Sequence, residues 1–81
     1  MKYQTVTAAQ AILHFAANEY GAALVEIRKE ERERDRVRKI IHDAKRGRVS
    51  DKRAKALLEK YGGGSYKIST TFEVAITETK T

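Results

Sequence analysis

Residues 66 to 78 alternate apolar and polar side chains with a period of two, in a chain whose other long patterns are helical. Tyr66, Ile68, Thr70, Phe72, Val74 and Ile76 form one largely apolar set, and Lys67, Ser69, Thr71, Glu73, Ala75 and Thr77 the other. Such alternation specifies a strand with one buried face. As one strand, 66–78 would measure ~43 Å. A compact domain of this size has a radius of gyration near 12 Å. The only other strand candidate is residues 2–6. The reading that follows is that the strand partners come from a second copy, the 66–78 strands pairing antiparallel in a small sheet across a homo-oligomer, with a dimer as the expected state.

The rest of the chain reads as helix, giving a single α+β domain over residues 1–81. Thr7 and Gln10 form a capping box, so a helix starts at Ala8. If it ran through residue 46 it would be ~58 Å long, and Gly21 marks the expected kink. Gln10, His14, Asn18 and Gly21 make a narrow polar stripe on an otherwise apolar segment, which places His14 at the surface. Ala9, Ala16 and Ala23 recur every seven residues, a spacing at which another helix can approach closely. A coiled-coil-like seam runs through Leu13, Ala16, Tyr20, Ala23 and Ile27 and resumes at Val37, Ile41 and Ala44, but Glu30 and Arg34 interrupt it. The expected oligomer interface therefore comprises Ala9, Leu13, Ala16, Tyr20 and Ala23 with Tyr66, Ile68, Phe72, Val74 and Ile76. Gly47 ends the long helix, Ser50 caps a short one over 51–61, and Gly62 closes it.

The net charge of +6 is unevenly placed. Residues 28–60 carry fourteen Lys/Arg against seven Asp/Glu, while the segments on either side are close to neutral. Arg28 to Arg36 is an unbroken charged run with five basic and four acidic residues. It reads as a solvated helix supported by Glu30–Arg34 and Asp35–Lys39 pairs at i,i+4. The true excess follows it: Lys45, Arg46, Arg48, Lys52, Arg53 and Lys55 surround a turn between two helices. A helix–turn–helix can dock on nucleic acid. Residues 51–61 contain no Asn or Gln for adenine readout, so phosphate contact fits better than base recognition. No aromatic residue interleaves with the patch in sequence, against a single-strand stacking platform.

Little else carries chemistry. The chain has no cysteine and two isolated histidines, His14 and His42. No nucleophile–base spacing is recognisable, and Gly62–Gly64 lacks the lysine of a phosphate loop. No catalytic, metal or cofactor site is expected, nor a small-molecule substrate. The longest stretch without a charge, Tyr3 to Asn18, is interrupted by Gln4, Gln10 and His14 and is too short to span a bilayer. A cytoplasmic protein is expected.

A charged helix, then Arg48-Val-Ser-Asp-Lys-Arg-Ala-Lys-Ala-Leu-Leu-Glu-Lys-Tyr-Gly62, then Tyr66-Lys-Ile-Ser-Thr-Thr-Phe-Glu-Val-Ala-Ile-Thr77, resembles the C-terminal half of short uncharacterised accessory proteins of actinobacterial bacteriophages. The resemblance covers residues 28–79. It implies a small non-enzymatic phage protein, in the host cytoplasm, that binds a partner, and it assigns no residue a role. Two functions stand at this point: an oligomeric interaction module with an unknown protein partner, such as an accessory or host-modulating factor, or a small DNA- or RNA-binding protein using residues 45–55.

Overall fold

The computed structural model describes residues 2–76. It is α+β: β1 (Lys2–Val6), α1 (Ala8–Asn18), α2 (Tyr20–Ile27), α3 (Glu31–Lys45), α4 (Asp51–Tyr61), a 3₁₀ turn (Gly63–Ser65), β2 (Tyr66–Ile68) and β3 (Phe72–Ile76). The radius of gyration is 12.4 Å, with extents of 40 × 24 × 21 Å, so a single copy forms a closed domain.

The expected long strand is a hairpin, and the chain supplies its own sheet. β3 is central, with β1 and β2 antiparallel on either side. Residues 77 and 78 lie outside the described residues. The register explains why alternation alone concealed the turn. Tyr66 pairs with Val74 and Ile68 with Phe72, so the fold point is Thr70 and even-numbered residues meet even-numbered ones. Folding there leaves the whole apolar set on one face, as a straight strand does. β1 joins in the same parity, Val6 opposite Phe72 and Gln4 opposite Val74.

The expected helix over 8–46 is three helices. Its first break is at Glu19 rather than Gly21. Glu19 adopts φ −115°, ψ −19°, and its carboxylate accepts a hydrogen bond from the Ser65 hydroxyl at 2.9 Å. One residue earlier, the Asn18 side-chain amide donates to the carbonyl of His14 at 2.9 Å, a local bond of the kind that bends helices. Gly21 sits inside α2 with nothing near it. The second break falls at 28–30, inside the charged run, where Glu30 is extended. From Arg28 to Arg36 no residue is apolar, so a straight continuation would bury nothing for more than two turns. Turning there lets α3 pack along α1 and bring Val37, Ile40, Ile41 and Ala44 into the core.

The core joins these α3 residues to Ile12 and Phe15 of α1, Ile27 of α2, Leu57 and Leu58 of α4, and Tyr66, Phe72 and Val74 of the sheet. Hence Tyr66, Phe72 and Val74, expected at an interface between copies, are buried within one chain. Ile68, Ala9, Leu13, Ala16, Tyr20 and Ala23 are half-buried and packed on the same core. Of that set only Ile76 is exposed, at 40%.

His14, expected at the surface, is half-buried. Its Nδ1 lies 2.8 Å from the Tyr66 hydroxyl, with the two rings edge to face. Burial, and secondarily the Glu19 carboxylate, pushes the Tyr66 phenol well above the ordinary tyrosine range, so it stays protonated. The opposite face of the sheet is polar. There Tyr3 reaches over the small Ala75 to donate to the Gly64 carbonyl at 3.0 Å, and Lys67 lies 4.3 Å above its ring.

Candidate nucleic-acid interface

The cationic corner begins where α3 ends. Gly47 has φ +69°, the left-handed conformation that glycine accepts without a Cβ penalty. The Arg48 amide donates to the Asp43 carbonyl at 2.9 Å, and the Gly47 amide to that of Ala44 at 3.0 Å. This pair of bonds is a Schellman motif, which satisfies the last carbonyls of the helix. Val49 then packs on the core. The Ser50 hydroxyl accepts from the Arg53 amide at 3.3 Å and starts α4.

One ion pair ties the corner together. Nη1 of Arg53 donates to Oδ2 of Asp43 at 2.9 Å, which holds the Asp43 carboxyl below its ordinary range. Arg53 is therefore a structural member of the patch, unlike its neighbours. Lys45, Arg46, Arg48, Lys52 and Lys55 are all exposed. Among the described residues, Lys45, Arg46, Arg48 and Lys52 have no ion pair, and Lys55 has only the loose contact with Glu59 at 4.0 Å. Four cations thus project from a corner whose backbone is fixed by a Schellman turn, a serine cap and a cross-turn ion pair. Asp51, in the first turn of α4, already places a carboxylate at that helix's positive end. An anion there would meet like charge, so the exposed side chains and not the helix amides are the groups left open to one.

The charged run upstream is organised otherwise than i,i+4 pairing implies. Its contacts are at i,i+3: Arg34 with Glu31 and Arg36 with Glu33, preceded by Lys29 with Glu26. Glu33 is no solvated residue. Its side chain is 15% exposed and accepts from Lys60 of α4 at 2.9 Å and from Arg36. The Lys60 hydrogen bond first, then that of Arg36, draws the Glu33 carboxyl down, and Glu33 in turn raises the Lys60 ammonium. These ties pair Glu26 with Lys29 and Glu33 with Lys60 in the cleft they line with Glu30 and Tyr61, and leave Glu30 without an ion pair among the described residues.

Beside the corner lies a second feature that sequence order hides. Tyr20, at the start of α2, faces α3 across a cleft of about 310 Å³ whose other walls are Arg38, Ile41, His42 and Lys45. Arg38, Ile41 and Lys45 fall on one side of α3 because they are three and four residues apart. Their spacing was legible in the sequence, but the neighbour was not: Tyr20 is more than a dozen residues upstream and arrives only because the chain turns back at 28–30.

Among the described residues no group of three or more His, Cys, Asp or Glu is placed to hold a metal ion. None of the described helices is long and apolar enough to cross a membrane. Comparison with protein-family models, curated proteins and solved structures gives no match.

Proposed function

We propose that this chain is a non-enzymatic binding protein that docks its α3–turn–α4 corner on the phosphate backbone of nucleic acid in the cytoplasm. The supporting observation is the set of exposed cations without ion pairs, Lys45, Arg46, Arg48 and Lys52, on a corner locked by the Arg53–Asp43 pair. The outward face of α4 beyond Lys52 offers Lys55, Ala56 and Glu59, with no Asn or Gln for adenine and no arginine fork for guanine, so base readout there is limited to one ammonium and one carboxylate. Binding is accordingly driven by charge and is tolerant of sequence.

A titration at two salt concentrations tests this. Neutralising about four phosphates gives a log–log salt slope of about −2.8 on a single strand and about −3.6 on a duplex, and so roughly fifty- to a hundred-and-fiftyfold weaker binding at 200 mM than at 50 mM salt. The Arg46→Gln/Arg48→Gln/Lys52→Gln variant is expected to lose binding while keeping its helical circular dichroism. No affinity for DNA or RNA at low salt refutes the proposal.

A second reading, an oligomeric interaction module of the phage-accessory kind, is favoured by α2. Gly21, Ala22 and Val25 are exposed there, and Val25 at 69% is the most exposed large hydrophobic side chain among the described residues. In that reading a homodimer or a protein partner covers α2. The expected strand-to-strand pairing through Phe72 and Val74 has no part in it, because β3 is paired on both edges.

A further inference from the structure

The cleft under Tyr20 adjoins the cationic corner and shares Lys45 with it. Its composition differs from that of the corner. Ile41, almost fully buried, makes an apolar floor. Tyr20 is a half-buried aromatic wall, set against Phe15 with ring centroids 6.2 Å apart. Arg38 and Lys45 flank it, and neither has an ion pair among the described residues, in contrast to Arg34 and Arg36 earlier on the same helix. His42 adds an exposed ring whose contact with Asp43 is 3.9 Å, too long for a hydrogen bond.

An apolar floor, an aromatic wall and flanking cations are complementary to a planar heterocycle carrying negative charge on either side. A volume of about 310 Å³ is at the small end of ligand sites. It is large enough for one base with its sugar. We propose that this cleft holds one unpaired nucleobase of a single-stranded nucleic acid, stacked against Tyr20, with Arg38 and Lys45 on the neighbouring phosphates. The strand continues from Lys45 onto Arg46 and Arg48. This rests on the nucleic-acid reading and deepens it: the corner supplies affinity for phosphate, and the cleft selects strands that can release a base. The aromatic element absent from the sequence around residues 45–55 is supplied by the fold.

The test compares the wild-type protein's binding to an octathymidylate and to the same backbone with its bases removed, at equal phosphate count and low salt. Stacking on one aromatic side chain is worth about five- to a hundredfold in affinity, so the base-bearing strand is expected to bind tighter by a factor in that range. Tyr20→Trp installs the sole tryptophan of the chain, and its fluorescence is expected to be quenched by octathymidylate and not by the abasic strand. Tyr20→Leu, which keeps an apolar contact for Phe15, is expected to bring octathymidylate down to the abasic affinity. Equal wild-type affinities, with no quenching in the Tyr20→Trp variant, overturn the base site and leave the phosphate reading standing. Binding of neither strand overturns both. Quenching by thymidine monophosphate at the concentrations where octathymidylate saturates overturns the strand in favour of a free nucleotide.

Discussion

Tyr66 and His14, far apart in sequence, meet across the core at 2.8 Å from hydroxyl to Nδ1, and this bond fixes the sheet beneath α1. The expected consequence of Tyr66→Phe is a loss of about 0.5–1.5 kcal/mol, the worth of a neutral hydrogen bond whose partner is left half-buried. Alkaline titration followed by near-ultraviolet absorbance gives a second check. Burial, and secondarily Glu19, raises the folded-state pKa of Tyr66 above its unfolded value, so stability is unaffected by this group below about pH 10 and falls as the pH rises from there through the raised value. Tyr66 is expected to ionise well above the ordinary tyrosine range, and the Tyr66→Phe variant to lack that step.

Much of this architecture is legible in local sequence. The Thr7–Gln10 capping box, the Ser50 cap and the Gly47 stop are each a contact within a few residues, and each is present. What sequence order hides depends on where the chain turns. A hairpin folded at Thr70 and a straight strand have the same parity, so the pattern of Tyr66, Ile68, Phe72 and Val74 fits both. The reversal at 28–30 is set by the absence of apolar residues after Ile27, and is visible only when α3 needs a partner helix. Without that reversal, neither the Glu33–Lys60 pair nor the approach of Tyr20 to Lys45 is foreseeable. Gly21 misleads because a helix tolerates it, whereas the break falls at Glu19, where the Asn18 and Glu19 side chains bond to the His14 carbonyl and the Ser65 hydroxyl.

Acid is expected to weaken the fold through two carboxylates. Asp43, bonded to Arg53, and Glu33, bonded first to Lys60 and then to Arg36, both have folded-state pKa values below their unfolded ones. Their stabilisation is therefore full above about pH 5 and is lost as the pH falls through the depressed folded values. The variant Glu33→Gln/Asp43→Asn is expected to have a lower urea midpoint than wild type at pH 7 and to lose less of it on acidification. Parallel decline of the two proteins down to about pH 2 would show that these pairs carry no pH-dependent stability.

Lysine substitutions separate the core from a docking face. Phe72 and Val74 are buried against the helices, so Phe72→Lys or Val74→Lys places an unpaired ammonium in the interior. The expected outcome is loss of the cooperative unfolding transition, and not a folded monomer. Val25→Lys changes an exposed residue and is expected to leave stability within about 0.5 kcal/mol. If light scattering finds a wild-type dimer, the same substitution is expected to dissociate it without unfolding, which would favour the interaction-module reading. A dimer untouched by Val25→Lys would place the interface elsewhere.

Two glycines are expected to respond in opposite directions to the same substitution. Gly62 has φ −78°, a conformation open to any residue, yet a Cβ there would lie 2.5 Å from Cδ2 of Tyr66 and 2.6 Å from the carbonyl oxygen of Leu58. The carbonyl is helix backbone, and the ring is held from its far end by His14, so neither can yield cheaply. Gly62→Ala is expected to cost about 1–3 kcal/mol, as overpacking does. Gly21 lies within α2 with nothing inside 4 Å of an added Cβ, and alanine there gains helix propensity. Gly21→Ala is expected to add about 0.5–1 kcal/mol. In a domain of this size each kcal/mol moves the melting temperature by about 4–8 °C, so the two variants are expected to melt on opposite sides of wild type. If Gly62→Ala melts with wild type, the Tyr66 ring is free to move aside, and its bond to His14 does not anchor the sheet.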